Sequence, residues 1–450
     1  MEEKDRSVRS VLANPAFTKL WSNQIFVQLA YNSLNFTLLL WVFKLASSNT
    51  AVSGLMLSIY LPPVIFGVFA GVFVDLFDRR KIMRIIDLLM ALCFVGLIFF
   101  KDYLPTVYLF TFLVNTLAIF YLSSEASAIP IIVKKSQLLL ANSLFSTTVF
   151  LSFLVGFGLS GPLISLFSID FVFGLGALVL FMGFLSTFSM PSMRSALDDD
   201  ALELKNALRK RSIQGIDRLI RTEIRKTINL IKDKPQVLTA ILIISMEQAI
   251  VGVLGVLIPS FLERVVHIKA TDASIVLVIP LGVGMSLGGL FIGKLGHLWP
   301  KRRIVATGTA LAGLLLGLVG SGPFLNPISS RIHTVLPFFY RPSHAGALVV
   351  GSFLLGLAMV SVIVPSQTAI QEETPENTRG KVFSVLNMTM SGLALVPILV
   401  IGPLSDIIGP ALIFVLIGLT VFWAGITGLY PKYNPLSGFL PKGWRTFLGN

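Results

Sequence analysis

Apolar runs of about twenty residues follow one another along the chain, separated by short polar or charged intervals. A run of that length lets an α-helix cross a hydrocarbon layer of roughly 30 Å. The pattern predicts twelve spans, at 21–45, 51–76, 82–100, 104–132, 141–167, 169–190, 236–262, 271–296, 303–320, 345–370, 381–406 and 409–430. One long polar interval separates the first six spans from the last six. The expected organisation is an N-terminal segment over 1–20, a six-helix bundle over 21–190, a linker over 191–235, a second six-helix bundle over 236–430 and a tail over 431–450. The fold class read from this is an all-α membrane protein of two pseudo-symmetric bundles.

Internal repetition supports the symmetry. Shifted by 222 positions, Gly289, Gly293, Arg302, Arg303 and Ile304 fall opposite Gly67, Gly71, Arg80, Lys81 and Ile82. A unit that recurs once per half is the mark of a duplicated membrane protein. Gly67 and Gly71 lie one turn apart, which predicts close approach by a neighbouring helix. Gly161-Pro162 in the fifth span and Gly402-Pro403 in the eleventh form a second matching pair. Proline removes a backbone donor and bends a helix, so these are candidate hinge and packing points.

In the linker, Asp198, Asp199 and Asp200 precede a basic stretch. There Ile213, Ile216, Ile220, Ile224, Ile228 and Ile231 recur every three or four residues. The spacing predicts an amphipathic helix along the inner membrane surface or against the bundle, acting as a tether, or alternatively as a docking site for a soluble partner. The segment Ser321–Ala345, with four prolines, reads as an irregular loop.

The chain is 54% hydrophobic and 13% charged, against about 25% charged in soluble domains, which makes it an integral membrane protein. Its formal charge of +13 raises nucleic acid as a partner. The placement of the cations excludes that reading: thirty of the 36 Lys and Arg fall on the N-terminal side of the expected membrane topology. The positive-inside rule then places both termini in the cytoplasm of a multi-pass cell-membrane protein. Met1–Leu20 lacks the apolar core of a cleavable signal. The single cysteine, Cys93, lies inside a span, and His333 and His344 in the loop are too few to bind a metal, so no metal or cofactor is expected. Gly288–Leu295 resembles a phosphate loop but lacks the terminal hydroxyl residue and lies in a membrane helix, which excludes ATP as the energy source. No nucleophile stands beside a base and an orienting acid, and an enzyme is not expected.

The segment Gly67–Lys81 contains Gly71, Asp75, Arg79, Arg80 and Lys81 in the pattern G-x-x-x-D-x-x-x-R-R-K. It resembles the signature loop between helices two and three of the major facilitator superfamily. Further features are Asn14-Pro15-Ala16-Phe17 with Leu20-Trp21, Ser123–Val133, Ala141–Phe145 and the Gly161-Pro162 bend. Together they resemble the drug:proton antiporter branch, which includes enterobactin-exporter-like and macrolide-efflux-like proteins. Two positions depart from that branch: Ala30-Tyr31 stands where many members have Gly-Asp, and Ser165 where a further glycine is usual. The resemblance implies transport of a small molecule by alternating access. It also implies a gating role for Gly67, Gly71, Asp75, Arg79, Arg80 and Lys81, with Asp75 bonding to the eleventh span and Arg79/Arg80 facing Glu125. His297 stands in the place of Asp75 in the second copy.

Ionisable residues at membrane depth are candidates for function. Glu247, about eleven residues into the seventh span, is the first candidate for binding and releasing protons, and Glu125 is the second. Either carboxyl could instead be a hydrogen-bonded structural group. Asp87 reads as a local partner of Arg84, and Asp406 as a solvated acid at a helix end. In the first span Gln24, Gln28, Asn32 and Asn35 are spaced four, four and three residues apart, which places them on one helical face with Tyr31 at its edge. They are candidates for a substrate cavity, with interhelical hydrogen bonding as the alternative; Asn115, Gln248, Gln367 and Asn387 are further candidates. Three functions stay open: a proton-coupled exporter of hydrophobic or amphipathic molecules, an uncoupled lipid or metabolite flippase or facilitator, and a transporter-like scaffold or sensor. The partners expected are a small-molecule substrate, the lipid bilayer and protons, and the protein is read as a monomer.

Overall fold

A computed structural model describes residues 8–134, 137–194, 222, 231, 234–295, 298–332, 345–374 and 376–429. Apart from positions 222 and 231, the linker stretch expected to be an amphipathic helix lies outside the described residues, as do the tail, His297, His333, His344 and the side chain of Asp75. Among the described residues, twelve helices are long and apolar enough to cross a membrane, as the pattern of apolar runs requires. They are α1 (Pro15–Ala46), α2 (Asn49–Asp75), α3 (Arg79–Phe100), α4 (Leu104–Ile132), α5 (Leu138–Leu166), α6 (Ile169–Ser186), α7 (Pro235–Phe261), α8 (Ile279–Leu295), α9 (Lys301–Ile332), α10 (Ala345–Glu373), α11 (Glu376–Ile408) and α12 (Pro410–Leu429). No strand occurs among the described residues.

Three boundaries differ from the hydropathy reading, each for a local reason. Helix α1 starts at Pro15 because Asn14 caps it: its Oδ1 accepts from Ala16 N at 3.0 Å and Phe17 N at 3.4 Å. Helix α9 continues as far as Ile332, so the first part of the expected irregular loop is helical. The cationic run Arg79–Arg84 is not a loop either but the first turns of α3, which starts behind the N-cap Asp78. The Asp78 side chain accepts from Arg80 N at 3.1 Å, Met193 N at 3.0 Å and Ser192 Oγ at 2.8 Å. One carboxylate thus caps α3 and fastens to it the segment that follows α6. Arg80 adds a second fastening by donating to the Met190 carbonyl at 3.0 Å. Burial works against the charge on Asp78, but the hydrogen bonds from Met193, Ser192 and Arg80, together with the Arg80 charge, hold its carboxyl below the usual carboxylate range.

The chain forms two compact units. The first comprises Met1–Trp41 and Ser58–Lys226, the second Val42–Leu57 and Thr227–Asn450. The turn between α1 and α2 and the first residues of α2 therefore belong to the second unit, a division that a cut at the linker alone does not produce. In the first unit α3 packs on α4 and α6. Its buried face runs through Ile82, Met83, Ile86, Asp87, Met90, Ala91, Phe94 and Leu97, a helical period that places Asp87 inside.

In the second unit, small residues set the spacing of helices. A Cβ added to Gly418 of α12 would lie 2.3 Å from Gly317 N of α9, and one on Gly425 would lie 2.3 Å from Ala310 N. Helices α8 and α10 meet in the same way, at Gly284 against the Phe353 carbonyl and Gly356 against the Leu281 carbonyl. Such backbone approach maximises dispersion contact between helices that gain no hydrophobic driving force in lipid. Gly67 and Gly71 do not take part in packing of this kind: no described atom lies within 4 Å of the Cβ either would carry. Their helical spacing is real, but no close neighbour to them occurs among the described residues, and the same holds for Gly293 in the second copy.

Two outcomes follow for thermal unfolding of the purified protein in detergent. Gly418→Leu forces α9 and α12 apart and costs about 1–3 kcal/mol, a clear fall in Tm, whereas Gly71→Ala leaves Tm level or slightly raised. Asp78→Ala removes the cap and costs about 1 kcal/mol at neutral pH. Because the folded-state value of Asp78 is depressed, its contribution is fully present above the unfolded carboxylate range and is lost as pH falls through the folded value. The gap in Tm between wild type and Asp78→Ala therefore closes in that acidic window.

Candidate functional site

All four amides on the polar face of α1 are buried: Gln24 is 1% exposed, and Gln28, Asn32 and Asn35 are 7 to 8% exposed. Neighbouring helices of the first unit take up much of their hydrogen-bonding capacity. Gln24 Nε2 donates to the Phe145 carbonyl of α5 at 3.2 Å. The Tyr31 hydroxyl donates to Asn115 Oδ1 of α4 at 2.7 Å, and Asn115 Nδ2 lies 3.4 Å from Asn35 Oδ1. Asn35 Nδ2 closes the group on the Tyr31 carbonyl at 3.1 Å. Asn32 sits where α5 comes closest, at Gly156, whose added Cβ would lie 2.7 Å from the Asn32 Cβ. The structure thus brings Tyr31, Asn35 and Asn115 together in one cluster. Gln24 Oε1 and Asn32 Nδ2 remain buried without a partner among the described residues.

The remaining cavity candidates lie in the second unit. Gln248 and Gln367 are half-buried and Asn387 is exposed. Glu247 is half-buried as a residue, yet both its carboxyl oxygens are buried without a hydrogen-bond partner among the described residues.

Four other acids find different surroundings. Glu125 of α4 is 4% exposed, and its Oε2 has no hydrogen-bond partner among the described residues. The ion-pair partner shown for Arg80 is Asp78, at 3.9 Å, rather than Glu125. Arg79 is buried, and its backbone N–H donates to the Met193 carbonyl at 3.2 Å; Lys81 is exposed. Asp87 does not pair with Arg84. Arg84 donates to the Thr187 hydroxyl and carbonyl and stacks 3.8 Å over the Phe188 ring. Asp87 instead accepts from Asn23 Nδ2 of α1 at 2.8 Å.

Asp406 is not simply solvated. It accepts from Ser48 Oγ, Asn49 N, Thr50 N and Thr50 Oγ1 at 2.7 to 3.0 Å, capping the first turn of α2 within the second unit. Arg264 stands 3.9 Å from it, and Gly402, one turn earlier in α11, admits Ser53 and the Asn49 carbonyl. Pro403 and Pro162 both lie inside helices, and Gly161 is buried. The local reading overlooked Asn23, Asp78 and the roles of Asp87 and Asp406. For Asp87 the signal was present in the sequence: it shares the apolar period of its helix. No group of three or more potential metal ligands occurs among the described residues.

This geometry is that of a polar-lined helical membrane bundle with isolated buried carboxyls, and known proteins share its fold. An uncharacterized MFS-type transporter of Bacillus subtilis (strain 168), YfiS, is 24% identical over 410 residues, covering 88% of each chain. A variant of the nucleoside transporter NupG superposes with a TM-score of 0.71 at 13% identity, over 92% of this chain and 99% of that one. A variant of the peptide transporter POT gives 0.72 at 12% identity, over 92% and 94%. At such identities these structures establish the fold alone. The model of the Major Facilitator Superfamily matches residues 20–397. That match spans most of both units, and the chain belongs to the Major Facilitator Superfamily, as a multi-pass membrane transporter rather than an enzyme.

Proposed function

We propose that this transporter is a proton-coupled exporter of hydrophobic or amphipathic small molecules, of the drug:proton antiporter branch, in the cell membrane with both termini cytoplasmic. The observation that carries the coupling is Glu247. Its two oxygens are enclosed with no donor among the described residues, in a helix of strongly apolar composition. An isolated anion is costly in such a place. A carboxyl that takes up and releases a proton as the transporter changes state meets that cost by being charged only part of the time. The branch assignment rests on the local motifs that surround the first, fourth and fifth helices.

The amides of α1 divide between two tasks. Tyr31, Asn35 and Asn115 hold α1 to α4, which favours the interhelical reading for them. The unfilled positions on Gln24 and Asn32 are the ones a substrate would use. The bundles over 21–190 and 236–430 work as the two moving halves, with Asp75, Arg79 and Arg80 as an inner gate. Ala30-Tyr31, in place of an acid in α1, favours the second reading, an uncoupled flippase or facilitator.

Accumulation of ethidium in inverted membrane vesicles separates these readings. With an imposed gradient, acid inside, wild type accumulates the dye. Glu247→Gln loses at least ten-fold of the gradient-driven rate while downhill flux persists. Accumulation that does not respond to the gradient in wild type supports the uncoupled reading instead. In the same vesicles Asp75→Asn slows transport several-fold without abolishing dye binding; an unchanged rate reduces the motif to a topology signal.

A further inference from the structure

Three acids of this protein bond to a second helix or segment among the described residues, and they are provisioned differently. Asp78 accepts three hydrogen bonds and stands near Arg80. Asp406 accepts four and stands near Arg264. Both are surrounded as permanent anions are, by several donors and a cation. Asp87 is 0% exposed and receives one donor, the Asn23 amide, on Oδ2. Its Oδ1 is buried with no hydrogen-bond partner among the described residues.

The groups around Asp87 leave no room for a different arrangement of donors. Asn23 is fully buried, and its Nδ2 also donates to the Gly183 carbonyl of α6 at 3.0 Å. Its Oδ1 accepts from the Tyr121 hydroxyl of α4 at 2.7 Å, so the amide cannot turn over. The Ser186 hydroxyl, 3.4 Å from Asn23 Nδ2, donates to the Gly183 carbonyl. On α4 the ionisable groups near Asp87 are Tyr121 and, one turn further along, Glu125, and Tyr121 is within Coulombic range of both acids. On α1 the cation one turn before Asn23 is Lys19, which donates to the Ser189 carbonyl at 2.7 Å. On its own helix, the cation one turn away is Arg84, already engaged by Thr187 and Phe188. No cation faces Asp87 from the described residues.

We propose that Asp87 is a proton-binding site of the first unit, loaded and unloaded during the transport cycle, with Asn23 and Tyr121 as positioning residues. The proton sits on Oδ1, the oxygen that Asn23 leaves open. It leaves to water when α1 and α6 part from α3 and returns when they close, so no bond other than the O–H is made or broken. The site deepens the proton-coupled reading above, but it is independent of Glu247, which lies in the other unit.

The test is infrared spectroscopy of the full chain reconstituted in lipid, titrated with alkali. Wild type shows a neutral carboxylic-acid C=O band near neutral pH that converts to carboxylate as pH rises. Asp87→Asn loses that band, and Tyr121→Phe keeps it with a shifted frequency. The band persists in Glu247→Gln, which separates this site from the coupling assigned to Glu247. An Asp87→Asn spectrum that loses only carboxylate intensity overturns the proposal, because Asp87 is then a permanent anion. If Asp87→Asn does not fold, carbon-13 labelling of aspartate in the wild type decides the matter: a neutral-acid absorption of which no component moves with the label overturns it as well.

Discussion

A hydrocarbon layer supplies no hydrogen bonds, so each polar group carried into it must be satisfied by another part of the protein or left charged and alone at high cost. In this transporter that constraint falls most heavily on α1. One face of the helix carries four amides, all of them buried, and three meet α4 or α5. A different face of the helix carries Asn23, which holds an aspartate of α3 and a carbonyl of α6 in one grip. Helix α1 is therefore the polar spine of the first unit. The second unit is held differently, by glycines that bring α9 onto α12 and α8 onto α10.

The acids show how one residue type is given different work by its neighbours. Asp78 and Asp406 lie at the ends of helices, where unpaired N–H groups and the helix dipole favour a negative charge. Each closes off a helix start and fastens a distant segment to it: Ser192 and Met193 to α3, and α2 to α11. Glu247 and Asp87 lie within helices, where every backbone N–H is already used. There a carboxyl must depend on side chains, and the described structure offers few or none. Location along the helix decides how many donors a carboxyl receives more than residue identity does.

Much of the architecture was legible in the chain because hydrophobic length and the placement of cations are properties of single segments. The twelve helices, the two repeats and the membrane class follow from them. The boundaries at Pro15 and Arg79 needed the capping chemistry of Asn14 and Asp78, which a hydropathy reading passes over although the residues are plain to see. The candidate site was legible only in part. Tyr31 and Asn35 were named from spacing and Asn115 as a further polar residue within a span, and the three do meet, but spacing could not say whether they meet each other or a substrate.

What the sequence determined by itself is what depends on local composition: that the chain spans a membrane, how many times, and which residues within the spans are polar. The tertiary structure decided which of those polar residues are paired, because pairing depends on side chains that lie far apart in the chain. Asp87 is 64 positions from Asn23, and Asp406 is 357 from Asn49. It also decided that Gly418 and Gly425 are packed against backbone, whereas Gly67 and Gly71 meet no neighbour within 4 Å among the described residues. Two glycines one turn apart look alike in any apolar helix, and only the neighbouring backbone tells them apart.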